Sequence, residues 1–183
     1  MIDISVADSP LWSMFRERLR DQGVDACREI IADISLHRGE RHDVTHCSGV
    51  LYHHPNPMMI LAGLRRATSR HLILSSAVTQ ERIENERGVY AVPRSGAVYV
   101  PSLDERERAV LATYWNAVGA DIHGITRTTE YRVRDDNTFD EQAWWWLPTP
   151  DCMAAMAQSA GFRLLDRASL WNDNAHCLLL EAT

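Results

Sequence analysis

No apolar run in this 183-residue chain approaches the roughly 20 residues needed to cross a bilayer. The first residues, Met1-Ile2-Asp3-Ile4-Ser5, have neither the basic nor the apolar region of a secretory leader, so a cytoplasmic protein is expected. Four cysteines, Cys27, Cys47, Cys152 and Cys177, stand far apart without a C-x-x-C pair. That spacing excludes a dense disulfide framework and predicts buried, reduced thiols. None of the nine glycines falls in a G-x-G run, so the dinucleotide loop of a nicotinamide-dependent oxidoreductase is absent. Positive charge is scarce too: a formal net charge of -6 argues against broad electrostatic binding to nucleic acid. What remains is ordinary in bulk, with 45% hydrophobic and 24% charged residues, and the length suits one domain over residues 1–183.

The order of patterns is more telling. Ile2 and Ile4 flank Asp3 as at the end of a strand, and Leu11, Phe15 and Leu19 then fall at helical spacing, with Gly23 as a stop. Residues 28–34 and 44–50 read as strands, 58–65 as a helix with Arg65 in its last turn, and 71–78 as a strand. The continuous apolar start of that last strand, Leu72-Ile73-Leu74, predicts cover on both sheet faces. From 79 to 142 the chain turns polar, with a strand-like Ala97-Val98-Tyr99-Val100 and a helix over 104–118; this reads as a substrate-side insertion. Thr149 and Pro150 then start a helix with Met153, Met156, Ala157 and Ala160 on its core stripe. Strands over 162–170 and 176–181 follow, joined by Asn172-Asp173-Asn174. Alternation of strands and helices is the grammar of an open α/β sheet, whose ligands lie beyond the carboxyl ends of the strands.

The stretch Asp43-Val44-Thr45-His46-Cys47-Ser48-Gly49-Val50-Leu51-Tyr52-His53-His54-Pro55 is such an end: a buried strand that breaks at small residues. With Ile2-Asp3-Ile4-Ser5, Ala32-Asp33-Ile34, and the tail from Pro148-Thr149-Pro150-Asp151-Cys152 to Ala160-Gly161-Phe162, it resembles the class I S-adenosylmethionine-dependent methyltransferase family over nearly the whole chain. The Gly49-Val50-Leu51-Tyr52-His53 string, the tryptophan run and Pro148-Thr149-Pro150 are similar, more narrowly, to methyltransferases related to the tRNA wobble-uridine carboxymethyltransferases.

The resemblance implies a Rossmann-like sheet, S-adenosylmethionine as cofactor, and a role for each matching residue. Asp3 would accept the ribose hydroxyls, with an exposed acid on a frayed terminus as the plain alternative. Asp33 and the Ile34 amide would meet the adenine, although Asp33 suits a turn cap equally well. Ser48 and Gly49 would let the backbone approach the cofactor, or would serve only a tight turn. Tyr52 lies on the acceptor side, where His53 would act as a base or pack as part of the substrate wall. Trp145 would stack on a planar acceptor or join the core, its neighbours on the other face of an extended segment. A metal site is not expected from His42, His46, His53 and His54, since the first two lie about 13 Å apart at strand rise.

One family element has no counterpart. The glycine-rich loop after the family's first strand would lie before Asp3, so either the polypeptide begins upstream or cofactor binding is weakened. In the family's strand order, 3-2-1-4-5-7-6, the missing strand would leave residues 44–50 with an open inner edge. That edge is expected to pair with the chain's own third strand, to form a homodimer, or to reduce solubility. The function implied is methyl transfer to a small-molecule or RNA acceptor. The alternative is a non-catalytic methyltransferase-like domain with a binding or regulatory role.

Overall fold

The computed structural model describes residues 1–3, 9–25 and 27–183, the side chains of Asp3 and Leu11 excepted. The Ile4-Ser5 marker therefore lies outside the described residues, as does the expected ribose contact of the Asp3 side chain. Strand β1 (Ile2–Asp3) precedes helix α1 (Pro10–Asp21) and strand β2 (Ile30–Ile31), which runs parallel to β1 with Asp3 opposite Ile31. The strand expected over 28–34 is thus two residues long, and Asp33 begins a turn instead of ending a strand.

A four-stranded sheet carries the rest. Strand β3 (His42–Ser48) passes through a 3-10 turn (Leu51–His53) and helix α2 (Pro57–Ala67) into the parallel strand β4 (Thr68–Ala77). Asn56 caps α2 by accepting the Met59 amide, and Pro57 needs no partner for a missing donor at the first helical position. After the segment 78–149, helix α4 (Pro150–Ser159) leads into strands β9 (Phe162–Leu170) and β10 (Ala175–Ala182). The sheet order is β3-β4-β10-β9, with β10 antiparallel to both neighbours. The turn between β9 and β10 places Trp171, Asn172 and Asp173 in the left-handed region. Asparagine and aspartate tolerate it because their side chains can bond locally.

Packing on this sheet is one-sided. Leu61 and Leu64 of α2 and Met153 and Ala157 of α4 share a core with Leu72, Leu74, Leu178 and Leu180, all buried. On the opposite face Ile73 is only half-buried and Leu179 is exposed, so the expected cover on both faces of β4 is not present among the described residues. Alternation of Leu72, Ile73 and Leu74 between two unequal faces explains why a continuous apolar run is not a doubly covered strand.

The polar segment builds a second core. Strands β5 (Arg82–Asn85) and β6 (Gly88–Ala91) form a hairpin against helix α3 (Glu105–Ala117), which Asp104 and Glu107 start as a capping box. Strand β7 (Ala97–Tyr99) pairs with β8 (Trp146–Pro148). Ile83, Val98, Val100, Leu111, Trp115, Ile122, Trp144 and Leu147 fill the interior between them. The apolar residues of 79–142 are scattered along the segment but converge.

Strand β3 pairs with β4 alone among the described residues, and β2 pairs with β1. The expected pairing of the open β3 edge with the chain's own third strand therefore does not occur. A physical reason is at hand: β2 is too short, and its following turn is tied to α2 instead. Gly63 lets that turn lie against the helix, since a Cβ there would stand 2.9 Å from the Ile34 carbonyl carbon and 3.2 Å from Ser35 Cα. Arg66 completes the tie by donating to the Ser35 carbonyl at 2.7 Å.

Candidate active site

The carboxyl ends of β2 and β3 converge on one another. Asp33 Oδ1 accepts the Ser35 amide at 2.7 Å, a turn cap of the kind its sequence position allows. Its other oxygen, Oδ2, lies 3.3 Å from His54 Nε2. His54 Nδ1 accepts the Asn56 amide at 2.9 Å, so the ring proton sits on Nε2 and is donated to Asp33. The loop after β3 thereby holds the carboxylate that follows β2. Each carboxylate oxygen has a second lone-pair direction, so Asp33 can still accept a ligand amine or hydroxyl.

Ser48 ends β3, and both it and Gly49 are exposed. Gly49 donates to the Ser75 carbonyl at 3.1 Å and has φ +72°, a conformation that costs other residues about 1 kcal/mol or more. The turn alone therefore demands glycine, with or without a ligand. A Cβ at Gly49 would lie 3.5 Å from the Tyr52 hydroxyl, so the tyrosine reaches back over this turn. Leu51, fully enclosed by the first core, pins the 3-10 turn that sends Tyr52 and His53 toward the second core.

There the histidine meets the polar segment. His53 Nδ1 lies 3.1 Å from the Ala143 carbonyl. A carbonyl only accepts, so Nδ1 carries the proton and Nε2 of the neutral ring keeps a lone pair. Burial lowers the His53 pKa below its ordinary value and the nearby His123 adds to this, against the Ala143 hydrogen bond and the Asp140 charge. Burial also raises the pKa of Tyr52. The Tyr52 ring centroid lies 4.2 Å from those of both His53 and Trp144, tilted by 44° and 42°, so the three form one aromatic cluster.

The tryptophan run does not alternate. Trp144 and Trp145 are both buried, at 8% and 3% exposure, because strand β8 begins only at Trp146. Trp145 donates its amide to the Tyr52 carbonyl at 2.8 Å and sets its ring 5.1 Å from Tyr131 and 6.4 Å from Phe139. In this structure its amide anchors the Tyr52 backbone, its ring packs against Tyr131 and Phe139, and it presents no open stacking face. His42 and His46 lie exposed on β3, and among the described residues no three His, Cys, Asp or Glu side chains gather as metal ligands do.

Sequence reasoning passed over His54 as a partner of Asp33, and it did not single out His123 or Asp140. Each partner pair joins residues 21 or more positions apart, and no local spacing signals it.

No protein-family model matches the sequence, and no curated protein matches it. Solved structures do. The chain aligns over its whole length with 1,6-didemethyltoxoflavin-N1-methyltransferase from Burkholderia thailandensis, at 13% identity and a TM-score of 0.53. That structure has S-adenosylhomocysteine and 1,6-didemethyltoxoflavin bound. An O-methyltransferase family 2 protein from Planctomyces limnophilus, in complex with apigenin, is similar over 100% of this chain at 11% identity and a TM-score of 0.54. Magnesium protoporphyrin IX methyltransferase from Synechocystis, with bound SAH, is similar over 93% at 13% identity and a TM-score of 0.50. The chain spans 60%, 42% and 59% of the lengths of these three proteins. If β1 and β2 are counted as the second and third strands and β3, β4, β9 and β10 as the fourth to seventh, the observed orders are 3-2 and 4-5-7-6. The chain shares a Rossmann-like α/β fold with these solved methyltransferases.

Proposed function

We propose that the chain forms an S-adenosylmethionine-dependent methyltransferase domain acting on a small molecule. The observation that carries this reading is the junction of Asp33 with His54, which draws together the carboxyl ends of β2 and β3, where an open α/β sheet binds its ligands. Asp33 and the Ile34 amide would receive the adenine, the Ser48-Gly49 turn would lie along the cofactor, and Asp3 would take the ribose. Bound there, the cofactor would supply an electrophilic methyl group. Tyr52 and His53 stand on the acceptor side of the same turn, and the bare Nε2 of His53 suits removal of a proton from an O or N acceptor. Trp145 anchors the Tyr52 backbone through its amide.

The solved neighbours bound to 1,6-didemethyltoxoflavin and apigenin, together with the net charge of -6, favour a small acceptor over RNA. The narrower likeness to tRNA wobble-uridine enzymes rests on the Gly49-to-His53 string, and a transfer assay with tRNA is its test. Titration calorimetry with S-adenosylmethionine and S-adenosylhomocysteine decides the main point. Heat saturating with one site per chain is expected; none at high micromolar cofactor would favour a non-catalytic binding or regulatory domain.

A further inference from the structure

The imidazole of His53 is aimed by a turn that the polar segment supplies. Asp140 builds this turn with both its side chain and its backbone. Its Oδ1 accepts the Gln142 amide at 2.9 Å, and its carbonyl accepts the Ala143 amide at 3.2 Å. Its Oδ2 accepts the Thr129 hydroxyl at 2.6 Å, which fixes the side chain from a second stretch of chain. The product is a buried Ala143 whose carbonyl meets His53 Nδ1 at 3.1 Å. An aspartate bonding the amide two residues on is a local device that asparagine can reproduce and glutamate, one methylene longer, does not.

We infer that Asp140 is a positioning residue for His53: it holds the Ala143 carbonyl where it selects the Nδ1–H tautomer and leaves Nε2 free to accept a proton. The Asp140 carboxylate also acts on the imidazole through its charge, but its hydrogen bonds to the Gln142 amide and the Thr129 hydroxyl direct it to the turn and not to the ring. Asp140 therefore acts mainly through the carbonyl. The charged or titratable groups facing His53 are Tyr52 from its own loop and His123 and Asp140 from the polar segment. Among the described residues, no arginine or glutamate is among the influences on its titration. The catalytic consequence rests on the methyl-transfer reading, whereas the tautomer does not.

The test is side-chain nitrogen NMR on the full 15N-labelled chain, with the His53 signals assigned by their loss in His53→Gln. In the unsubstituted protein Nδ1 is expected to be protonated and Nε2 bare. Asp140→Asn should leave that pattern unchanged, while Asp140→Glu, which keeps the charge, should give a mixture with the Nε2–H form. Asp140→Ala should repeat the Glu result and stands in if that variant does not fold. A wild-type pattern in both the Glu and Ala variants would overturn the inference. So would an Asn variant more disturbed than Glu, because the charge would then be the agent. With an acceptor in hand, the Glu variant should lose kcat by at least about tenfold at unchanged KM, and the Asn variant should not. Calorimetry with the cofactor separates the two ideas: the expected tautomers without cofactor binding would refute methyl transfer and leave the positioning role standing.

Discussion

Gly63→Ala sets two opposed and calculable effects against each other. Gly63 is interior to helix α2, where alanine is intrinsically favoured over glycine by about 0.8–1.0 kcal/mol. A Cβ at that position, however, would stand 2.9 Å from the Ile34 carbonyl carbon and 3.2 Å from Ser35 Cα, and closer still to the Ile34 oxygen. Overpacking of this kind costs about 1–3 kcal/mol. The obstacle is backbone, and it is held by Arg66 on the Ser35 carbonyl and by His54 on Asp33, so it cannot swing away as a side-chain tip would. The upper end of the range applies, and subtraction of the helix gain leaves a net loss of about 2 kcal/mol. For a chain of this size that is a fall in Tm of roughly 4–8 °C.

Urea unfolding followed by circular dichroism measures it directly. A Gly63→Ala protein as stable as the parent, or more so, would mean that the 33–36 turn yields freely and that its position against α2 fixes nothing. If the turn is fixed as described, the same variant should also weaken S-adenosylmethionine binding, because Asp33 and Ile34 move together with the displaced backbone.

Burial holds the His53 pKa below its ordinary value, so the unfolded chain takes up this proton at a higher pH than the folded one. The contribution to stability is therefore complete above about pH 6.5 and is lost as the pH falls through the folded value. Wild type should lose stability relative to His53→Gln on acidification, and parallel pH–stability curves would contradict this. Cys47, enclosed by the first core with its thiol pushed up to about 12, should resist alkylation in the native protein while exposed Cys27 reacts. Mass spectrometry that finds both modified at similar rates would show that β3 opens readily. Val44 is 57% exposed on the strand whose second edge is unpaired among the described residues. Self-association detected by light scattering should weaken in Val44→Lys, and a monodisperse wild-type monomer at high concentration would rule out a sticky edge.

The succession of elements was legible because it rests on local chemistry. Thr149 followed by Pro150 starts α4 by the same cap and first-turn geometry that the residue types prescribe, and Thr149 Oγ1 accepts the Cys152 amide at 3.2 Å. Asp104 does the same for α3. The packing of those elements was not legible. Leu72-Ile73-Leu74 has the composition of a doubly covered strand, yet which face is covered depends on helices elsewhere in the chain. The polar composition of 79–142 concealed a core because its apolar residues are spread over several short elements and show no single period. Gly63 carried a usable signal: an isolated glycine inside a helical pattern marks a close approach.

The two adjacent histidines show why the site itself was harder to read than the strand that bears it. In sequence His53 and His54 are equivalent, side by side after the same small-residue turn. In the fold they part, because the 3-10 turn ends between them: His54 is already in an extended conformation, with ψ 133°. His54 then turns to Asp33 and the carboxyl end of β2, while His53 turns to Ala143 and the polar segment. Each ring is fixed in a different tautomer by a backbone group, an amide on His54 Nδ1 and a carbonyl on His53 Nδ1. One histidine therefore presents a proton to a carboxylate and the other keeps a lone pair. The Asn56 amide on His54 is local, but the partners that divide the labour lie 21 and 90 residues away, and neither the spacing nor the type of the two histidines contains them.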